Sequence, residues 1–137
     1  MRNDLKTITI LFRAVDSITE LIKNDMKKHE LNVTEFGTLE VLYHKGTLPV
    51  QKIIDKVLIA NSSMSYVLTK LAEKELITKE YCPTDKRSYH VSITEKGKKL
   101  MDKIYPIHLQ TLRGKLDILT ENEEQLLQEL LKKVGKN

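Results

Sequence analysis

Two groups of polar side chains in the middle of the chain have the types and spacing to bind a polyanion. The first lies on the outer side of a helix that is predicted to be apolar inside, and it comprises Ser62, Ser63, Ser65, Tyr66, Thr69 and Lys70. The second group, in a turn-rich stretch after Asp85, comprises Lys86, Arg87 and Ser88. Small hydroxyl residues let a helix approach a DNA groove closely, and a narrow minor groove attracts arginine. We therefore expect these residues to contact DNA, with Asp85 holding the turn and orienting the neighbouring guanidinium.

The charge distribution agrees with a nucleic-acid partner. Residues 45–99 contain 11 basic and 6 acidic side chains, whereas the rest of the chain contains 12 and 13. The net charge of +4 therefore arises in the middle segment. Neutralising phosphates releases condensed counterions, so a basic segment favours binding to DNA or RNA. A solvated lysine-rich face would have the same composition, and charge alone leaves that alternative open.

The residues that would carry enzymatic chemistry are scattered. The five glycines are isolated, so no phosphate-binding loop is predicted. The four histidines lack the paired spacing of metal ligands, and a single cysteine cannot form an internal disulfide or a multi-cysteine zinc site. We therefore expect a protein that is not an enzyme and that holds no metal or cofactor. Cys82, at the base of the turn-rich stretch, could sense oxidants or could be a small buried apolar residue.

Length and composition predict one globular domain. The 137 residues are 40% hydrophobic and 31% charged, a balance that is atypical of disordered chains. Apolar runs are far shorter than the roughly 20 residues that a membrane helix needs, and no signal peptide is apparent. We therefore expect a cytoplasmic protein that does not bind membranes.

The first half of the chain reads as four helices. A long amphipathic helix is predicted over residues 5–26, from apolar residues at steps of three and four. Asn32 and Glu35 have capping-box spacing, and Gly46 suits the end of that second helix. Pro49 suits the entry to a helix of about two turns, and Asn61 is a good N-cap for the next helix. The predicted inner face of this fourth helix consists of Met64, Val67, Leu68 and Leu71.

The second half is predicted to contain a β-hairpin and two more helices. Residues 76–81 and 89–93 alternate as strands do, with a six-residue charged loop over 82–87 between them. Thr94 can cap a long helix bearing an apolar stripe, and Pro106 should bend it. The stripe comprises Leu100, Ile104, Ile107, Leu112 and Leu116. Thr120 and Glu123 repeat the capping box before a last helix that ends near Gly135. The fold class is therefore mainly α (α+β), a helix-turn-helix followed by a hairpin.

The hairpin region resembles the wing of the MarR family of winged-helix regulators, which reads Asp-x-Arg, then a strand, then Leu-Thr-x-x-Gly. Here the corresponding run extends from Asp85 to Gly97, and residues 61–71 are similar to the family's recognition helix. Leu76 and Ile77 stand where the family begins its wing. Two departures are Lys70 and Glu75, at positions where arginine and glycine are frequent.

The resemblance covers nearly the whole chain and implies a single MarR-type domain over residues 1–137. It places the winged-helix DNA-binding lobe at 33–94, with the wing at about 77–94, and the dimerisation helices at 1–30 and 95–137. It implies a homodimeric transcriptional regulator, a repressor, on a pseudo-palindromic operator. The broad apolar stripes of the first and last helices agree, because surplus apolar surface is usually buried in a partner.

Relatives in this family also bind small aromatic effectors in a crevice between the outer helices and the winged helix. Five aromatic residues could line such a crevice or could fill ordinary core: Phe12, Phe36, Tyr43, His44 and Tyr105. Two other functions fit the same residues, a winged-helix protein-interaction adaptor without specific DNA binding and a nonspecific architectural DNA binder. Salt-sensitive, sequence-selective DNA binding would separate the regulator from both.

Overall fold

The computed structural model describes residues 3–57 and 63–135. Within them the elements follow in the order α1 (Lys6–Lys27), α2 (Val33–Lys45), β1 (Leu48–Pro49), α3 (Val50–Lys56), α4 (Met64–Glu73), β2 (Ile77–Cys82), β3 (Asp85–Ile93), α5 (Glu95–Leu116) and α6 (Glu121–Gly135). Across these residues, no helix has the length and apolar character that crossing a membrane requires.

Helix α2 is fixed at both ends by the residues that its sequence predicts. Asn32 Oδ1 accepts a hydrogen bond from the Glu35 amide at 2.7 Å, and Glu35 Oε1 accepts one from the Asn32 amide at 3.0 Å. At the other end, Gly46 adopts φ of 79° and its amide donates to the Leu42 carbonyl. The capping box and the glycine C-cap are both confirmed.

The helix-turn-helix is held on α2 by buried contacts. The inner face of α4 is buried as predicted, and Thr38 in α2 donates its hydroxyl to the Thr34 carbonyl while lying 3.7 Å from Met64 Sδ. Pro49 occupies the N-cap of α3. The predicted capping residue of α4, Asn61, lies outside the described residues, and Ser63 stands at the N-cap without a side-chain capping bond.

The sheet differs from the predicted hairpin in two respects. A third short strand, β1, pairs with β3 through Leu48 and Val91, giving the order β1-β3-β2. The predicted loop over 82–87 is wrong, because β2 continues to Cys82 and β3 begins at Asp85, which leaves only Pro83 and Thr84 between them. Backbone pairing persists in this outer part of the hairpin although its side chains are polar, so the apolar alternation that marks a half-buried strand is missing.

The junction of wing and α5 explains the Thr-x-x-Gly part of the sequence. Thr94 Oγ1 accepts from the Gly97 amide at 3.0 Å and donates to the Glu75 carbonyl at 2.8 Å. A Cβ at Gly97 would lie 2.4 Å from the Leu76 carbonyl oxygen and 2.7 Å from Ile93 Cγ1. Because this approach excludes a side chain, glycine lets the first turn of α5 lie against the start of β2.

The core lies among α2, α4, α5 and the sheet, whereas the outer helices leave apolar surface uncovered. Leu39, Leu68 and Met101 are fully buried, but α6 buries none of its residues within the single chain. The predicted stripe of α5 is partly wrong, because Ile107 is 62% exposed and His108 takes the buried position beside it.

Helix α6 begins with the predicted capping box and is tied to α5 by charge. The Thr120 amide donates to Glu123 Oε1 at 2.9 Å, and the Glu123 amide donates to Thr120 Oγ1 at 3.2 Å. The Arg113 guanidinium of α5 donates to both Asp117 and Glu124. Its hydrogen bond to Glu124 lowers the pKa of that carboxyl.

Candidate nucleic-acid interface

The outer face of α4 is polar and exposed. Since the apolar residues of α4 occupy its inner side, Ser63, Ser65, Tyr66 and Thr69 point to solvent, with Tyr66 61% exposed. Lys70 Nζ lies 5.5 Å from the Tyr66 ring centroid, at cation–π distance. The predicted contact residue Ser62 lies outside the described residues.

Sequence reasoning missed Lys79, which connects the wing to this face. Its Nζ donates to Thr69 Oγ1 at 3.4 Å and lies 5.6 Å from the Tyr89 ring centroid. Lys79 follows buried Ile77 by two positions in β2, and alternate strand residues share a face. That spacing is the signal by which the sequence could have placed Lys79 against α4.

The wing extends a second cation into solvent. Arg87 lies on β3 rather than in a loop, and its side chain is 96% exposed. Asp85 Oδ1 accepts from the Arg87 amide at 3.0 Å and lies 3.8 Å from the guanidinium Nε. Ser88 is exposed, and Lys86 belongs to the same strand, although its side chain is outside the described part of the structure. Asp85 is thus placed to fix the backbone and to orient the guanidinium without blocking it.

The aromatic pair Tyr81 and Tyr89 braces the wing below its tip. The two residues are opposite each other in the β2 and β3 ladder, and their ring centroids are 5.1 Å apart. Cross-strand aromatic pairs stabilise two-stranded ribbons, so this pair should hold Arg87 at a defined distance from α4.

Cys82 lies at the end of β2, partly buried beside the turn. Its Sγ is 3.3 Å from Thr84 Oγ1. The hydrogen bond from the Thr84 side chain, followed by those from the Thr84 and Asp85 backbone, lowers the pKa of the thiol. A lowered pKa raises the thiolate fraction and therefore the reactivity.

The five aromatic residues predicted for an effector crevice do not come together. Tyr43, His44 and Tyr105 form one cluster, with ring centroids of His44 and Tyr105 4.9 Å apart. The Tyr43 hydroxyl donates to Asp102, and this hydrogen bond is the main cause of the raised pKa of Tyr43. Phe36 is buried elsewhere, and Phe12 is 66% exposed on α1.

A cavity of about 210 Å³ lies where α1 and α5 meet α2 and α3. Of the five predicted aromatics, Phe36 lines it. His108 lines it too, with its Nδ1 2.7 Å from Asp25 Oδ2 and its ring in edge contact with Phe36 at 4.5 Å. Sequence reasoning missed His108, although its spacing from the buried residues Met101 and Ile104 of α5 would have placed it on the inner stripe.

Comparisons with known proteins agree with this arrangement. Residues 31–89 match the model of the MarR family. The HTH-type transcriptional regulator MhqR of Bacillus subtilis is 44% identical over 97% of this chain and 92% of its own length. The uncharacterised HTH-type regulator YkoM of the same organism is 37% identical over 92% of this chain and 82% of its own.

Two solved structures share the fold. The Staphylococcus aureus MepR–DNA complex superposes with a TM-score of 0.80 at 21% identity, covering 93% of this chain and 96% of that one. Bordetella bronchiseptica BpsR gives 0.85 at 20% identity, covering 95% and 98%, and is described as regulated in its DNA binding by 6-hydroxynicotinic acid. The winged-helix fold class predicted from the sequence is confirmed.

Proposed function

The chain belongs to the MarR family of DNA-binding transcriptional regulators, and from that premise we propose that it is a homodimeric repressor of a pseudo-palindromic operator whose DNA binding is relieved by a small effector. Each protomer places α4 in a major groove and the wing along the flanking backbone or minor groove. The observation that carries the proposal is the proximity of Lys79 and Thr69, which makes the α4 face and the wing one continuous cationic surface.

Uncovered apolar surface supports the dimer. Large apolar side chains of the outer helices are exposed in the single chain, and those of α6 are Leu126, Leu127, Leu130, Leu131 and Val134. A soluble protein rarely exposes so long a stripe, and a second copy that presents the same stripe would cover it by two-fold symmetry. Two recognition helices roughly 34 Å apart would then fit successive major grooves.

The cavity supports control by a small molecule. It separates α1 and α5, which would belong to the dimer scaffold, from α2 and α3, which carry α4. A ligand that binds there would fix the angle between scaffold and DNA-binding lobe, and so the distance between the two recognition helices. Ligand binding that favours the wrong distance weakens DNA binding by the same factor by which DNA weakens ligand binding.

Fluorescence anisotropy with the duplex upstream of the protein's own gene tests the DNA-binding proposal. We expect salt-sensitive binding to that duplex and much weaker binding to a scrambled duplex. Equal affinity for both would indicate an architectural binder, and binding to neither would favour the adaptor. In vitro transcription from the bound promoter should decrease as protein is added, and an increase would contradict the repressor proposal.

Light scattering coupled to gel filtration tests the dimer. Leu130→Glu places a charge in the exposed apolar stripe, where Leu130 is 47% exposed in the single chain, and we expect it to yield monomers. Gln128→Glu adds the same charge on the polar side of α6, beside Arg113, and serves as the matched control. A monomeric wild type, or a dimeric Leu130→Glu protein, would contradict this interface.

A further inference from the structure

We propose that the cavity selects an uncharged, single-ring aromatic molecule that carries a hydroxyl group, and that His108 Nε2 accepts the hydrogen bond from that hydroxyl. The inference rests on the proposed function of the cavity as an effector site, and it assigns the chemistry of the effector and the residue that recognises it.

The hydrogen bond of His108 to Asp25 determines which ring nitrogen is the acceptor. His108 is only 2% exposed, and its Nδ1 lies 2.7 Å from Asp25 Oδ2. An ionised carboxylate can only accept, so Nδ1 carries the hydrogen. Lys28 Nζ, 4.0 Å from Asp25 Oδ1, supplies a second cationic neighbour for that carboxylate. A neutral imidazole has one N–H, which leaves Nε2 as an acceptor.

The free nitrogen of His108 belongs to the cavity. The ring lines the cavity, and among the described residues Nε2 has no hydrogen-bond partner. Its neighbour Phe36 offers only a ring edge, at 4.5 Å between centroids. A buried acceptor without a donor costs free energy, so a ligand that donates to Nε2 is favoured over one of the same shape that cannot.

The size and lining of the cavity fit one substituted aromatic ring. A cavity on the order of 150 Å³ lined by apolar side chains binds benzene, and this one is about 210 Å³. Its apolar lining comprises Ile22, Val33, Phe36, Val41, Val57 and Leu112. The remaining volume is enough for a hydroxyl or a similar substituent but not for a second ring.

The charges around the cavity disfavour an anion. Its ionisable lining residues besides His108 are one acid and one base, Glu40 and Lys56, so they supply no net positive charge. An aromatic carboxylate would lose its hydration and would face the lone pair of Nε2, with the Asp25 carboxylate directly behind the ring. A neutral hydroxyl avoids both penalties.

Calorimetric titration of the wild-type dimer with phenol, toluene and benzoate tests the proposal, at about pH 8, where an ordinary histidine is neutral. We expect phenol to bind roughly tenfold more tightly than toluene, because toluene has the same ring without the donor. Benzoate should bind more weakly than phenol. Toluene equal to phenol, or benzoate tighter than phenol, would overturn the proposal.

Two variants locate the binding. His108→Leu should remove the preference for phenol over toluene while toluene still binds. Gly37→Ala introduces a methyl group at the cavity wall, 3.6 Å from Val57 Cγ1, an ordinary contact that the fold tolerates. It should weaken phenol and toluene alike, and it keeps the test valid if His108→Leu does not fold. An unchanged phenol affinity in Gly37→Ala would refute binding in this cavity.

The outcomes distinguish this inference from the proposed function. If phenol and toluene bind equally and both release DNA, the cavity is an effector site but His108 does not select its ligand. If phenol binds with the expected preference but leaves DNA affinity unchanged, the recognition chemistry stands and the effector function fails. If none of the three probes binds, both proposals are wrong.

Discussion

Replacing Arg87 by alanine should weaken operator binding through charge alone. The side chain is 96% exposed and its ion pair with Asp85, at 3.8 Å, is between exposed groups. Exposed pairs contribute about 0 to 1 kcal/mol, so the free energy of unfolding should change by no more than about 0.5 kcal/mol. Any large loss of DNA affinity in Arg87→Ala therefore reports a lost DNA contact.

The salt dependence gives the magnitude. Each phosphate neutralised on duplex DNA contributes about 0.9 to the slope of log affinity against log salt, so two protomers lose about 1.8. Between about 50 and 200 mM salt, the fold change in affinity should be about twelvefold smaller for the variant than for wild type. Anisotropy titrations across this range measure both slopes.

The control removes the same charge elsewhere. Lys132 is exposed on α6, away from α4 and the wing, and Lys132→Ala should leave the slope as it is in wild type. An Arg87→Ala protein with the wild-type slope and affinity would refute the wing contact. A loss of affinity with an unchanged slope would show that Arg87 acts other than by neutralising a phosphate.

Three further predictions concern stability and the thiol. Gly97→Ala should lower the free energy of unfolding by roughly 1 to 3 kcal/mol in denaturant titrations, since its methyl group would lie 2.4 Å from a carbonyl oxygen; an unchanged midpoint would refute that contact. Glu75→Gly should raise it by about 1 kcal/mol, because Glu75 has φ of 63° after α4, whereas Glu73→Gly inside the helix should lower it by about as much; a loss in both would contradict the strain argument. Cys82 should be alkylated at lower pH than free cysteine, because its pKa is lowered, and Thr84→Val should slow that reaction near neutral pH. If Cys82→Ser and wild type lose DNA binding equally on oxidation, Cys82 is not an oxidant sensor.

The sequence alone was enough for the features that depend on near neighbours. The capping boxes of α2 and α6 join residues three apart, and the inner face of α4 follows from its helical spacing. These features are local because a cap or a helical stripe is made by the segment that carries it. The family was recognised for a similar reason, since its wing motif is one short contiguous run.

Tertiary structure decided what depends on residues far apart in the chain. Helical periodicity shows that a residue faces inward but not which residue it meets, so neither the 2.7 Å contact of His108 with Asp25 nor the cavity beside it could be predicted. The pairing of β1 with β3 needs a partner strand about 40 residues away, and a two-residue segment has too little pattern to announce itself. The scattering of the five aromatic residues has the same origin, because their shared chemistry says nothing about the helix packing that separates Phe12 and Phe36 from the other three.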